Sequence, residues 1–291
     1  MLPAGWTVTP LSPALGSRVE GVDLAAGEDH SAIARLVALL HARGVLVLPG
    51  QRLDDAGYVA FARHWGRPLE FFIAEHRGAA FPEIIRIDND PATPATMRDG
   101  AAHWHSDSSY EAEPAAVTML YGREAPARGG ETHFVSTAAA YAALEPDLQA
   151  RIDGLVAVHE LGAAPWIEGE TLPDPDRPRR DMPPCRHPLV MRHPVTGRKA
   201  VFTSGTACAI EGMAEAEATA LLRRLRAHCV RPEFRATYKV MPGDIVLWDN
   251  FSTMHSATPL PYSSASGERR LLHRISTKGI PACCAPAPAA G

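Results

Sequence analysis

His105, Ser106 and Asp107 stand in the stretch AAHWHSDSSYEAEPA, residues 101–115. In an extended chain, positions i and i+2 point to one face. An imidazole and a carboxylate at that spacing can grip one metal ion together. Such triplets also arise by chance on polar loops, so the triplet alone decides nothing. A second segment, GDIVLWDNFSTMHSATP from Gly243 to Pro259, delivers His255 shortly after an apolar strand. Two imidazoles and one carboxylate on one face of an iron ion leave the opposite face open for substrates and oxygen. Further along, Arg270 can clamp the distal carboxylate of a 2-oxoacid bidentately. Thr132, in GGETHF, can donate its hydroxyl to the same group.

Elements that could position these groups are legible around them. SAIARLVALLHARG places Ile33, Leu36, Val37 and Leu40 on one helical face, with Ser31 as N-cap and Gly44 past the end. LDDAGYVAFARHWG reads as a second helix ending at Gly66. TAAAYAALEPDLQARIDGL carries helical segments from Thr137, and AEAEATALLRRLRAHCV is an amphipathic helix. WTVTPL, SRVEGVDL, GVLVLPG, VTMLYGRE, GGETHFVS, FRATYKV, GDIVLWDN and RRLLHRISTKG read as strands. PLVMRHPVTGRKAVFTS reads as a hairpin turning at PVTG. These elements predict an α+β chain with helices packed outside a β-sandwich or jelly roll. Residues 1–280 form one domain in this reading, and 281–291 a Pro/Ala-rich tail that frays. The proline-rich run from Pro165 to Pro188 has no periodicity, and its length predicts a lid bordering the active-site mouth, with a plain surface excursion as the alternative.

Composition narrows the function classes. Hydrophobic residues make up 46% of the 291, which is ordinary for a globular protein. A net charge of −4 gives no electrostatic footprint for nucleic acid. No apolar run is long enough for a membrane helix, and the N-terminus lacks the basic and apolar regions of a signal peptide. The five cysteines, Cys185, Cys208, Cys229, Cys283 and Cys284, match no zinc spacing. Free thiols in a reducing cytoplasm are the expectation. Self-association is left open.

The motifs WHSDSSY, RGGETHF, HPVTGRK, IEGM, GDIVLWDNFSTMH and RRLLHR occur in one order from about Pro10 to Lys278. In this the chain resembles the taurine dioxygenase/2,4-dichlorophenoxyacetate dioxygenase family of Fe(II)- and 2-oxoglutarate-dependent oxygenases. The resemblance implies a double-stranded β-helix, a form of jelly roll. It implies His105, Asp107 and His255 as iron ligands, and Thr132 and Arg270 as the residues that bind the 2-oxoglutarate C5 carboxylate. Arg274 matches a second arginine that in part of the family holds an anionic substrate. The implied chemistry consumes O2, converts 2-oxoglutarate to succinate and CO2, and hydroxylates a C–H bond. Asp107 disfavours halogenation, because related halogenases carry a small residue there. Desaturation, or cleavage after hydroxylation beside a heteroatom, remains open.

The substrate is less legible. Phe71, Phe72 and Ile73 suggest an apolar wall where the taurine branch carries sulfonate-binding histidines, with His76 a loose match. Ala101 aligns with an asparagine of that branch. Both departures favour a small organic carboxylate with an apolar body, gripped by Arg274; sulfonates and sulfate esters come second. No acid near Arg274 in sequence is an obvious partner. His103 reads as a pocket residue or a residue supporting the ligands, with exposed loop as the alternative, Trp248 as core, and Asp249 and Asn250 as turn residues. A zinc hydrolase with the same three ligands and a catalytically silent module of the same fold are the competing classes. Neither explains Thr132 and Arg270.

Overall fold

The computed structural model describes residues 3–27, 29–70, 77–78, 80–94, 101–161 and 182–285. Phe71 and His76, and residues 165–181 of the proline-rich run, lie outside the described residues. In chain order the first half contains β1 (Thr7–Pro10), β2 (Ser17–Glu20), α1 (His30–Arg43), β3 (Val45–Leu48), α2 (Asp55–Arg63), β4 (Arg67–Pro68), β5 (Ile85–Asp88), β6 (Val117–Glu124), β7 (Glu131–Ser136), α3 (Thr137–Ala142) and α4 (Pro146–Ile152). The second half contains β8 (Val156–His159), β9 (Cys185–Pro188), β10 (Val190–Arg192), β11 (Lys199–Val201), β12 (Ala207–Ile210), α5 (Glu215–Cys229), β13 (Arg235–Lys239), β14 (Ile245–Asp249), β15 (Thr253–Ala257) and β16 (Leu271–Lys278).

The larger sheet runs β1-β2-β3-β14-β6-β16-β4, with β5 also paired to β16; a smaller sheet runs β13-β7-β15. β14 shows why its sequence is apolar throughout. Ile245 and Leu247 face α1 and α2, beside Leu36, Leu40, Tyr58 and Trp65. Val246 and Trp248 point the opposite way and pack with Phe134 of β7 and Ala236 of β13. A strand buried on both faces needs no polar alternation. Each such side chain contributes roughly 1.5–3 kcal/mol on burial. On the other flank of the smaller sheet, Leu221, Leu222 and Leu225 of α5 pack with Val201, Ile210 and Met254.

Several expectations shift in detail. Asp29, not Ser31, caps α1, its Oδ1 accepting from the Ala32 N–H at 2.7 Å. Both residues carry a suitable oxygen, and the chain turns at the earlier one. Gly44 ends α1 in the left-handed region at φ 73°. A Cβ there would lie 2.9 Å from Thr253 Cγ2, so the helix end abuts β15. The second helix stops at Arg63, short of Gly66. β5 (IRID) is not among the strands legible in the sequence; it runs into the Asp-, Asn- and Pro-rich stretch that follows Ile87. Short strands β12-β8-β9 form a separate sheet. The tail does not fray at its start: Ala282–Cys284 form a 3-10 turn, with Ala282 N–H bonded to His64 O and both cysteines packed on the core. All five cysteines are free. Among the described residues, no helix is long and apolar enough to cross a membrane.

Candidate metal centre

The segment before β6 meets β15 at a single antiparallel bridge. His105 N–H donates to His255 O at 2.9 Å, and His255 N–H donates to His105 O at 2.8 Å. Their rings lie 4.1 Å apart, centroid to centroid. Two residues on, Asp107 returns to the same side. His105 Nε2 is 3.7 Å from Asp107 Oδ1, and His255 Nε2 is 3.7 Å from Asp107 Oδ2. The three donor atoms lie within 4.8 Å of one another. That is close enough for one ion with bonds of roughly 2 Å after a small adjustment of each side chain.

The protonation states suit a cation. Burial lowers the pKa of both imidazoles, so they are neutral at pH 7. His105 Nδ1 lies 2.8 Å from His103 O, a bond that places the proton on Nδ1 and leaves the Nε2 lone pair toward Asp107. Burial opposes ionisation of Asp107, but Arg274, His255 and His105 together hold its carboxyl well below the usual carboxylate range. Asp107 Oδ2 is buried and has no hydrogen-bond partner among the described residues. A charged oxygen left so is costly unless a cation meets it. Two neutral imidazoles beside one ionised, under-satisfied carboxylate therefore fit a divalent iron.

Asp107 is held in a closed ring of hydrogen bonds. Its backbone N–H donates to Asn250 Oδ1 at 3.1 Å, and Asn250 Nδ2 donates to Thr118 Oγ1 at 3.0 Å. Thr118 Oγ1 lies 2.9 Å from Ser276 Oγ. Arg274 Nη2 donates to Ser276 Oγ at 3.1 Å and to Asp107 Oδ1 at 2.6 Å. Ser108, directly after Asp107, has φ 52°, the one non-glycine residue with positive φ among the described residues. Such a backbone costs on the order of 1 kcal/mol and is kept only where its surroundings enforce it.

This ring corrects two expectations. Arg274 does have a protein carboxylate, and it is Asp107, remote in sequence but across the site. Asn250 is not a bare turn residue. It is 1% exposed, and its Oδ1 also accepts the Trp248 Nε1–H at 3.1 Å. Asp249 is likewise buried, accepting from Phe251 N–H and lying 3.2 Å from His193 Nε2. Val195 and Thr196 N–H groups bond His193 Nδ1, so the HPVTGRK turn is tied to the end of β14 through that imidazole. A buried Asp-Asn pair closing an apolar strand was the available signal.

The remaining site residues fall around this centre. Trp248 is core, as expected, and its ring centroid lies 4.5 Å from that of His255. Thr132 is buried on β7, two residues from Phe134, whose partner across the ladder is His255. Arg270 is 4% exposed and stands immediately before β16, the strand that carries Arg274. The His103 ring lies 4.9 Å from that of His105. It rests on Gly205, where a Cβ would come within 2.8 Å of His103 Cδ2. Nearby, Arg226 of α5 donates from Nη2 to Trp104 O at 2.7 Å, which fixes the backbone between the two histidines.

Facing sheets with a His-Asp-His centre between them define the jelly-roll class of mononuclear iron oxygenases. The family described as "Taurine catabolism dioxygenase TauD, TfdA family" matches residues 7–276, and the chain belongs to it. It is an Fe(II)- and 2-oxoglutarate-dependent dioxygenase. The chain is 33% identical to an alpha-ketoglutarate-dependent 2,4-dichlorophenoxyacetate dioxygenase of Cupriavidus pinatubonensis, over 92% of this chain and 96% of the relative. It is 33% identical to an (S)-phenoxypropionate/alpha-ketoglutarate dioxygenase of Sphingobium herbicidovorans, over 97% and 98%. A solved structure of a putative alpha-ketoglutarate-dependent taurine dioxygenase from Burkholderia xenovorans superposes with a TM-score of 0.79 at 28% identity, covering 94% of this chain and 93% of that one.

Proposed function

We propose that this dioxygenase hydroxylates a small organic carboxylate with an apolar body, of the aryloxyalkanoate kind. His105, Asp107 and His255 hold the iron, and Thr132 and Arg270 hold the distal carboxylate of 2-oxoglutarate. With O2, the iron supplies oxidative decarboxylation of 2-oxoglutarate to succinate and CO2 and insertion of one oxygen atom into a substrate C–H bond. The protein's residues do the rest. Neutral His105 and His255 present lone pairs, while the Asn250-Thr118-Ser276-Arg274 ring turns one oxygen of Asp107 away and leaves the other toward the ion. Trp248 and Phe134 keep water from the buried side of His255.

The observation that carries the substrate reading is the state of Arg274. Its side chain is 21% exposed, less buried than Asp107 or His255. One nitrogen serves Asp107 and Ser276, while its Nε is buried without a hydrogen-bond partner. A guanidinium has five donors in a fixed fork. Because Arg274 is already paired with Asp107, it does not require an anion from the substrate, and a substrate carboxylate would meet only the donors that this pair leaves over. The two relatives that share 33% identity are named for phenoxyacid substrates, which supports the carboxylate. If the hydroxyl forms on the carbon bearing the ether oxygen, that C–O bond then breaks to leave a carbonyl and release the aryl alcohol.

Succinate formation should be measured with Fe(II), 2-oxoglutarate and ascorbate across phenoxyacetates, 2-phenoxypropionates, alkyl sulfonates and alkyl sulfate esters. The highest kcat/KM is expected among the phenoxy carboxylates. A best substrate without negative charge would remove the Arg274 reading and leave the iron centre standing. Sulfonates are the second reading, favoured by the taurine dioxygenase neighbour, since the same guanidinium edge accepts either anion.

A further inference from the structure

Asn89 lies just past the end of β5, and its side chain is committed to one segment of chain. Asn89 Nδ2 donates to Pro261 O at 2.8 Å and to Glu268 O at 3.1 Å. Asn89 Oδ1 accepts the backbone N–H of Arg270 at 2.8 Å. Its carbonyl accepts the Ser263 N–H at 2.9 Å. Asn89 is 1% exposed, so none of these bonds competes freely with water.

The segment so held joins β15 to β16. It reads TPLPYSSASGER from Thr258 to Arg269 and contains no helix or strand. Proline, serine and glycine at this density leave the path of the chain to external contacts. Yet the segment must deliver Arg270, which is buried, to the start of β16. β16 itself is registered by β5 from Leu271 onward, where Leu271 opposes Asp88. Asn89 extends that pairing by one position, through a side chain in place of a strand residue. A clamp group misplaced by about 1 Å can lose on the order of a hundredfold in effect.

We propose that Asn89 is a positioning residue for Arg270, and through it sets the affinity for 2-oxoglutarate. This rests on Arg270 holding the 2-oxoglutarate C5 carboxylate. Asn89 touches neither metal nor substrate in this arrangement. Its loss frees the end of the segment and lets the guanidinium drift from the anion, while the His-Asp-His centre on β15 and the loop before β6 is left in place.

The test is calorimetric titration of Mn(II)-loaded protein with 2-oxoglutarate, alongside titration of the metal-free protein with Mn(II). Asn89→Ala is expected to weaken 2-oxoglutarate binding about fivefold or more, the size of one or two lost hydrogen bonds, with Mn(II) affinity held to within about twofold. In turnover the KM for 2-oxoglutarate should rise more than kcat falls. General loosening of the fold would instead weaken Mn(II) and 2-oxoglutarate together, and that result overturns the proposal. Should Asn89→Ala fail to fold, Asn89→Ser, whose hydroxyl can meet one of the three partners, carries the same comparison. Arg270→Ala separates the two layers. If it weakens 2-oxoglutarate binding and the Asn89 variants do not, the positioning role is wrong and the clamp stands. If Arg270→Ala changes nothing, the clamp assignment falls and the role of Asn89 falls with it.

Discussion

His105 and His255 exchange both of their backbone hydrogen bonds with each other, at 2.9 and 2.8 Å, in a bridge that no longer ladder continues. Directly opposed residues in an antiparallel pair carry their side chains on the same face. Two imidazoles are thus presented side by side by the backbone itself, before any side-chain contact acts. A metal ion need only meet them and Asp107.

Metal binding should therefore be coupled to stability. Mn(II) at a hundred times its Kd is expected to stabilise the protein by about 2.7 kcal/mol, read as a rise in Tm that a chelator reverses. His255→Ala should abolish the rise while retaining the fold. A metal-induced shift of equal size in that variant would place the ion elsewhere.

Asn250→Ala leaves the Asp107 N–H and the Trp248 Nε1–H without their acceptor. Each buried orphan costs about 1–3 kcal/mol. Urea denaturation should show a loss on the order of 2–4 kcal/mol, and Mn(II) binding should weaken about tenfold, as for residues that orient metal ligands. A loss below about 0.5 kcal/mol, typical of an inert surface change, would return Asn250 to the status of a turn residue.

For Arg274→Ala, the KM of the anionic substrate should rise about tenfold or more, which corresponds to about 1.4 kcal/mol. The Kd for 2-oxoglutarate should change little, because the clamp proposed for Arg270 remains. Equal weakening of both would mean that the two arginines act on one ligand.

His159 supplies a pH dependence away from the metal. Burial first, and the neighbouring His187, lower its pKa from 6.5 to about 3. The unfolded chain binds this proton more readily than the folded one between those values. Its stabilising neutral state is thus fully present above about pH 6.5 and is lost as pH falls toward 3, at up to about 1.4 kcal/mol per pH unit. Comparing urea midpoints at pH 7 and pH 5, His159→Gln should lose less stability than the parent protein. Identical pH slopes would show that other groups govern the acid limb.

The ligands were legible because they obey short-range rules. H-x-D places two donors on one face, and an apolar run before His255 marks the strand that carries the third. The supporting groups obey no such rule. Asn250 looks like a turn residue until Asp107, Thr118 and Trp248 converge on it from separate segments. Arg274 lacks an acid among its sequence neighbours because its partner lies across the interior of the fold. β5 (IRID, Ile85–Asp88) is hidden because four residues that run into a stretch rich in Asp, Asn and Pro resemble a loop, and only the edge of β16 makes them a strand. Helix faces were readable from periodicity, whereas the cap of α1 was not, since Asp29 and Ser31 offer equivalent oxygens.

The His105–His255 bridge also dictates when the protein can acquire its metal. His105 and Asp107 stand within three residues of each other, and the third donor arrives only with β15. A lone H-x-D pair is a weak chelator, and closing so long a loop requires most of the domain to have collapsed first. The unfolded chain therefore offers no three-donor site, and metal affinity is tied to the folded state.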